Sequence, residues 1–442
     1  MAEEHVSIAG YHHCLIPMTR LLSLCIAGCS LLLVLSSGTA LGGETVRRGV
    51  ARDGSRPFRS IQDAIASLDS HDATPAIITV KNGLYAEQLF IRRSGVTIVG
   101  EDKDSTRIVF PVLRETWQHD HGGSDWGAGV VNIDTGVTDI TLANLTVYND
   151  YGGLYGAYNK HQFAIRGMGT RIILLHCAVL SDGGDAVSLW DRTDGMYYDA
   201  DCEFEGWVDY VCPRGWCFIT DSRFFGHNTK SASLWHDGSA DSSQKFVIRN
   251  SFFDGRSGFP LGRNHRDGQV FLIHCRFSAN MADQPFYRPP SSPAPWKWGD
   301  RHYYSGCYRD GGNFAWFADN LPSAEGAPAS GQITARWTFD GRWDPEANPP
   351  SVLPYAYFPH PAADAQVDRQ SGSTVRWTPG LDAVAHAVYF GPTITPPLRT
   401  VQSTTSYAPP EIQRGVTYYW RVDEITSQDT IRGRLWSFTI SR

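Results

Sequence analysis

The chain of 442 residues is short of positive charge: 39 Lys and Arg stand against 46 Asp and Glu, a formal net charge of −7. General nucleic-acid binders carry a basic face, so no nucleic-acid partner is expected. Long apolar runs are also scarce. The stretch Leu21 to Leu35, after Arg20, is short for a membrane span, which needs about 20 apolar residues. The small residues Ser36 to Gly42 behind it suit cleavage, so residues 1–42 read as a targeting segment, with Met1 or Met18 as the start. Ile26-Ala27-Gly28-Cys29 leaves lipid anchoring open. The expectation is a bacterial protein that is secreted, periplasmic or held at the cell surface, touching a membrane only through an N-terminal anchor.

Cysteine is sparse too. Three of the nine, Cys14, Cys25 and Cys29, fall in the targeting segment. An even count of six then permits disulfides in an exported chain, with Cys212 and Cys217 across Pro213-Arg214-Gly215 as the local pair. No second Cys or His pair stands at ligand spacing, so neither zinc nor any other cofactor is expected. No Gly-x-Ser-x-Gly elbow is present, which removes the common serine-hydrolase reading. His119-Asp120-His121 and His236-Asp237 read as solvated loops.

What the chain does have is glycine and aromatics: 43 Gly, 21 Phe, 19 Tyr and 14 Trp, the composition of a turn-rich β protein. Short apolar strands end in small residues at Cys177, Cys202, Ser222, Ser251 and Cys275, spaced by 20 to 29 residues. Periods of this size mark stacked repeats, each coil burying its inner face only against its neighbours. An all-β fold follows, a parallel β-helix. Cys177, Cys202 and Cys275 share one place in the repeat and suit a buried ladder.

Stacking brings distant residues together, and three segments gain meaning from it. Gly184-Asp185-Ala186, Gly206-Trp207-Val208-Asp209-Tyr210 and Leu261-Gly262-Arg263 supply two acids and a guanidinium. A carboxylate beside an arginine stays ionised and can attack a carbonyl carbon, while a second, buried carboxyl stays neutral and can protonate a leaving group. Taken singly, each aspartate is an ordinary turn residue. Trp190, Trp207, Trp216, Trp235 and Tyr210 lie near the same strand ends, where flat rings suit sugar faces or core packing equally well.

Ala51-Arg52-Asp53-Gly54-Ser55, Phe58-Arg59-Ser60-Ile61-Gln62-Asp63-Ala64-Ile65, Gly83-Leu84-Tyr85-Ala86-Glu87 and Val96-Thr97-Ile98-Val99-Gly100, followed by the three segments above, run in the order found in the pectin methylesterase family of carbohydrate esterases, and the chain resembles that family over about residues 45 to 345. The resemblance implies a right-handed, pectin lyase-like β-helix over residues 43–345. It implies hydrolysis of the methyl esters of homogalacturonan to pectate and methanol, with the polysaccharide as partner and the protein a monomer. Asp209 corresponds to the nucleophile, in the frame Cys202-Glu203-Phe204-Glu205-Gly206-Trp207-Val208-Asp209. Asp185 corresponds to the acid/base, with Asp191 as the alternative, and Arg263 to the family arginine.

Three places depart from the pattern. Gly184 stands for a glutamine and Asn264-His265 for a Pro-Trp pair, while His161 stands where the family has an oxyanion-binding glutamine. Gln162 takes that role with a shift of one residue, and neighbouring strand residues face opposite ways, so only one of His161 and Gln162 can reach the site. Arg214, Trp216, His265 and Trp190 are the expected substrate-binding residues, with Arg214 suited to a galacturonate carboxylate. Tyr85 and Glu87 are expected to be structural. The departures keep open an esterase of the same fold acting on another ester, and a non-catalytic glycan-binding β-helix. Residues 346–355 read as a linker, and 356–442 as a β-sandwich resembling a fibronectin type III module, with strands such as Thr417-Tyr418-Tyr419-Trp420-Arg421-Val422 between turn residues.

Overall fold

Alternation along the strands sets the local structure. In Ala76–Val80 every second side chain is buried, and the same holds at the start of Val96–Gly100. Inward β-branched residues on such a pleat fit a half-buried strand and cannot be satisfied by a single coil. The structure, a computed structural model, describes residues 45–232, 234–235, 239, 241–292 and 295–442. The targeting segment expected over 1–42, with its three cysteines, and the pair His236 and Asp237 lie outside the described residues.

The strands stack into parallel sheets that share one interior. A ten-stranded sheet runs from Val46–Val50 to His302–Ser305, and a nine-stranded sheet from Gly83–Tyr85 to Tyr308–Arg309. The third face joins Leu89–Ile91, Gly129–Ile133, Phe163–Gly167 and Val187–Leu189, then continues through single bridges at Val211 to Leu234–Trp235 and Gly262–Arg263. This is a parallel β-helix, as the repeat implied.

The corner between the first two sheets explains the small residues of the repeat. Asn144, His176, Asp201, Asp221, Asn250 and His274 each turn the chain in the left-handed region, at φ between 51° and 55°. Asn, Asp and His tolerate that region better than most side chains. Except after Asn144, where Leu145 follows, the next residue faces inward and bonds the carbonyl two residues back: Cys202 Sγ to Ala200 at 3.3 Å, Ser222 Oγ to Thr220 at 2.8 Å and Ser251 Oγ to Arg249 at 2.8 Å. Cys177 and Cys275 do the same, and Cys307 extends the ladder. Phe204, Phe224, Phe253 and Phe277 stack along the adjoining sheet with ring centroids 4.3 to 5.3 Å apart.

Tyr85 and Glu87 hold the first coils together. Tyr85 is fully buried and donates its hydroxyl to the Lys81 carbonyl. Glu87 accepts from the Ile61 and Gln62 amides at 3.0 Å each, satisfying the open N-terminus of the helix Ile61–Ala66.

Beyond the coils, residues 315–357 fold back over the outside of the ten-stranded sheet. Leu321, Ile333, Phe339, Val352 and Leu353 bury against Tyr198, Phe218, Val247 and Phe271. The stretch expected as a linker is therefore partly core: Val352 and Leu353 are 4% and 1% exposed. The end of the chain is a sandwich. One antiparallel sheet joins Tyr357–His360, Val375–Thr378 and Ser406–Tyr407, and a second, mixed sheet orders Ala365–Val367, Leu435–Ile440, Thr417–Ile425, Ala385–Gly391 and Leu398–Gln402, its first pair parallel. Trp420, Val388 and Phe438 fill the space between. Arg434 ties the sandwich to the β-helix, with bonds of 2.8 Å to Asp201 and to the Tyr355 hydroxyl.

Candidate active site

Asp185 and Asp209 occupy one corner on successive coils. Both turn in the left-handed region, at φ 61° and 46°, and the stack is read directly from the backbone: the Asp185 amide donates to the Val208 carbonyl at 2.9 Å, and the Asp209 amide to Ala232 at 2.8 Å. Arg263 arrives from the second coil after Asp209, on a short strand in register with Trp235.

Arg263 grips Asp209 as a fork. Its Nε lies 3.0 and 3.2 Å from the two carboxylate oxygens, and a terminal nitrogen bonds Oδ2, the planar two-point contact that guanidinium makes best. Both acids are buried, Asp185 at 4% and Asp209 at 3% exposure. Burial pushes the Asp209 carboxyl up to about 7, against the pull of Arg263, with the nearby charge of Asp185 adding to the rise. Burial also raises Asp185, opposed by His161 and by the charges of Arg114 and Arg214. When the two acids share one proton, it rests on Asp185, because Asp209 alone is held by a forked cation.

The acids open into a cleft of about 640 Å³ whose wall also carries Lys160, His161, Trp207, His227, Lys230, Arg256 and His265. His161 places Nε2 3.7 Å from Asp185 Oδ2 and Nδ1 2.7 Å from Glu115 Oε1. Gln162 turns the other way. It is fully buried, donates to the Ala157 carbonyl at 2.6 Å and accepts from the Gly152 amide at 2.8 Å. The expectation that left either neighbour as oxyanion donor is corrected on this point: Gln162 braces the loop before Phe163–Gly167, and its amide is used up there.

The expected substrate contacts divide. His265 lines the cleft, with its ring edge-on to Trp235 at 5.2 Å. Trp190 lies between two guanidinium groups, Arg166 at 4.3 Å and Arg214 at 4.0 Å, and donates its Nε1 to Cys212 Sγ at 3.2 Å. It stands behind the acids and, with Arg214, is absent from the cleft wall, so a direct contact of either with substrate is not what this arrangement offers. Trp216 is on the wrong sheet. Its Nε1 donates to Asp340 at 2.9 Å and its ring lies under Arg342, where residues 315–357 cover it. The loop before it is short, but the strand it opens points outward from the other side of the helix. Asp191, the alternative acid, accepts from the Thr193 and Asp194 amides at 3.1 Å each, an ordinary turn. Tyr210 is a core residue. Cys212 and Cys217 are both free thiols, Cys217 in the β-helix interior and Cys212 beside Trp190, so the expected local disulfide does not form.

Trp207 was among the aromatics singled out in the sequence, whereas His227 and Arg256 on the same wall went unread although a signal for them exists. Gly206, Gly226 and Gly255 are in register, and the residues after them, Trp207, His227 and Arg256, therefore stack. Trp207 lies 5.5 Å from His227 and 5.1 Å from the Arg256 guanidinium. The recurring Phe-x-Gly-x frame, at Phe204, Phe224 and Phe253, announces this ladder. Glu115, on the helix Arg114–Asp120, had no such frame.

Residues 48–251 match the pectinesterase family, a range that includes His161, Asp185 and Asp209 and stops before Arg263. Pectinesterase A of Dickeya chrysanthemi is 34% identical over 125 residues, 28% of this chain and 33% of that protein. A pectinesterase of Petunia integrifolia is 25% identical over 169 residues, 38% of this chain and 41% of its own length. The chain thus spans a third of the length of the first of these relatives. Among solved structures, pectin methylesterase PemA from Erwinia chrysanthemi superposes with a TM-score of 0.55 at 20% identity, covering 69% of this chain and 99% of its own. Pectin methylesterase from carrot gives 0.52 at 17% identity, covering 66% and 93%. Residues 48–251 thus resemble the pectinesterase family, and the fold shared with these solved structures is a right-handed parallel β-helix.

Proposed function

We propose that this chain hydrolyses methyl esters of homogalacturonan, releasing methanol and leaving pectate. The observation that carries the reading is the Asp209 carboxylate forked by Arg263 beside a second buried acid, Asp185, at one open cleft. Asp209 attacks the ester carbonyl carbon, and its oxygen forms the new bond as the carbonyl oxygen takes up negative charge. His161 faces that oxygen from the cleft wall. The tetrahedral centre collapses, the bond to methoxide breaks, and Asp185 supplies the proton with which it leaves as methanol. Water then attacks the acyl-enzyme and gives one proton to Asp185, which frees Asp209 and the product acid. Removing an oxyanion donor in other hydrolases costs about 3 to 4 kcal/mol, so His161 contributes without being the nucleophile.

The cleft chemistry supports a polyanion. Lys160, Lys230, Arg256 and His265 surround the two acids in a chain whose net charge is −7. A pectin methylesterase of similar fold is known in complex with a hexasaccharide, which agrees with a cleft that takes several sugar rings. The sandwich fits the fibronectin type III plan, since its strands divide into a three-stranded sheet and a larger one with Leu398–Gln402 at the edge, and we assign it a spacer role. Export, a monomeric state and a division of the chain near 43 belong to the same reading.

The test is methanol release from highly methylated pectin by the purified chain, with chelator present. Release should fall by at least about 10³-fold in Asp209→Asn, with circular dichroism and melting showing a retained fold. A folded protein that releases no methanol, or an Asp209→Asn variant that keeps full activity, removes the assignment. Asn264-His265 in place of the Pro-Trp pair favours a different ester as the second reading, and an acetyl-ester substrate assayed in parallel separates the two.

A further inference from the structure

We propose that Glu115 is a positioning residue that makes His161 a donor to the developing oxyanion only while the imidazole is doubly protonated, so that this chain's activity is gated by pH at a single side chain. The inference rests on the esterase reading above and concerns how its oxyanion contact is made.

The geometry comes first. Glu115 Oε1 lies 2.7 Å from His161 Nδ1, and the pairing is fixed by the backbone, since the amide of Arg114 donates to the His161 carbonyl at 3.1 Å. His161 is in turn bridged to Gly184, next to Asp185. One ring nitrogen is therefore committed to a carboxylate and the other faces the cleft. An ionised carboxylate only accepts, so Nδ1 must carry the hydrogen. A neutral imidazole holds one hydrogen, and with Nδ1 protonated its Nε2 is a bare lone pair. That lone pair repels an oxyanion. Only the imidazolium puts an N–H at Nε2, where the negative charge develops.

An amide donor at this place would not titrate, whereas the imidazole does. The groups facing it decide where. Glu115, Asp185 and Asp209 favour the charged ring, while Lys160 and Arg114 oppose it. Burial works to raise the Glu115 carboxyl, yet its bond to His161 and the ring's charge hold it below the usual carboxylate range.

The experiment compares the pH profile of kcat in the wild type, Glu115→Gln, His161→Gln and the double variant. In parallel, the His161 imidazole titration is followed by NMR in the wild type and Glu115→Gln. Losing the carboxylate should move the imidazole titration to lower pH and free the neutral ring to hold its hydrogen at Nε2, so the alkaline limb of kcat should flatten. In the His161→Gln background the Glu115→Gln substitution should leave the limb as it is, because the two residues act through one contact. An unmoved titration in Glu115→Gln, or an equal change of the limb with and without His161, overturns the proposal. Should the wild type hydrolyse no methyl ester, the esterase reading falls, and the NMR titration still decides whether Glu115 sets the charge of His161.

Discussion

At Asp199 a carboxyl group sits in the interior of the coil stack, 1% exposed, on a strand between Leu174 and Ile219. Its Oδ1 has no hydrogen-bond partner, and burial pushes the group up to about 8. The sign of the consequence follows from linkage. Below the ordinary carboxylate range both folded and unfolded chains hold the proton, and nothing is lost. Between about 4 and 8 the unfolded chain ionises while the folded one keeps its proton, so stability falls as pH rises, by up to about 1.4 kcal/mol per pH unit. Asp199→Asn should flatten the dependence of unfolding free energy on pH between 5 and 8, read from urea titrations. A variant that follows the wild-type slope would show that Asp199 does not titrate there. Nothing in the sequence marked this residue, because Asp199 stands at an inward position of an alternating strand where its neighbours are apolar. Asp185, Asp209 and Arg263 were legible because an ordered set of motifs fixed their places. Glu115 was not, since its partner lies 46 residues away on a coil outside the repeat frame.

Within an element, direction decides what a residue can do, and direction is what spacing conveys least. Gln162 and Trp216 failed as site residues for this reason: each lies within a few residues of a group in the cleft but faces another surface. The alternation rule said that one of His161 and Gln162 must turn away, without saying which. The choice was made by the loop carbonyl of Ala157 and the amide of Gly152. Trp216 was misread because a strand that opens after a tight turn can belong to any of three faces. It instead anchors residues 315–357, so Trp216→Ala should destabilise the protein by about 3 to 5 kcal/mol and leave kcat/KM for methylated pectin within a factor of about three. A large loss of activity in folded protein would return Trp216 to the site. The repeat itself was well read, since the ladder of Cys and Ser at one corner is a sequence pattern and a structural one at once.

Over the whole molecule, charge is distributed against its own average. The chain is net negative, yet its cleft gathers Lys160, Lys230, Arg256 and Arg263. A polyanionic substrate is drawn to such a cleft by a field that salt screens within about 8 Å at physiological ionic strength. KM for methylated pectin should rise several-fold between 0.05 and 0.5 M NaCl while kcat stays nearly level, a split that steady-state kinetics resolves directly; a salt-independent KM would mean that the cations serve only the fold. The sandwich bonds to a coil corner through Arg434 and Asp201, beside a sheet that carries none of Asp185, Asp209 and Arg263. The corner occupied by the two acids has a broader meaning. Asp185 and Asp209 sit in equivalent seats one above the other, and the backbone of both seats turns in the same left-handed region. Chemistry on such a stack is therefore portable: single exchanges can lift an active centre one storey along the axis while the chain keeps its path, so descent within this architecture can relocate function without redesigning shape.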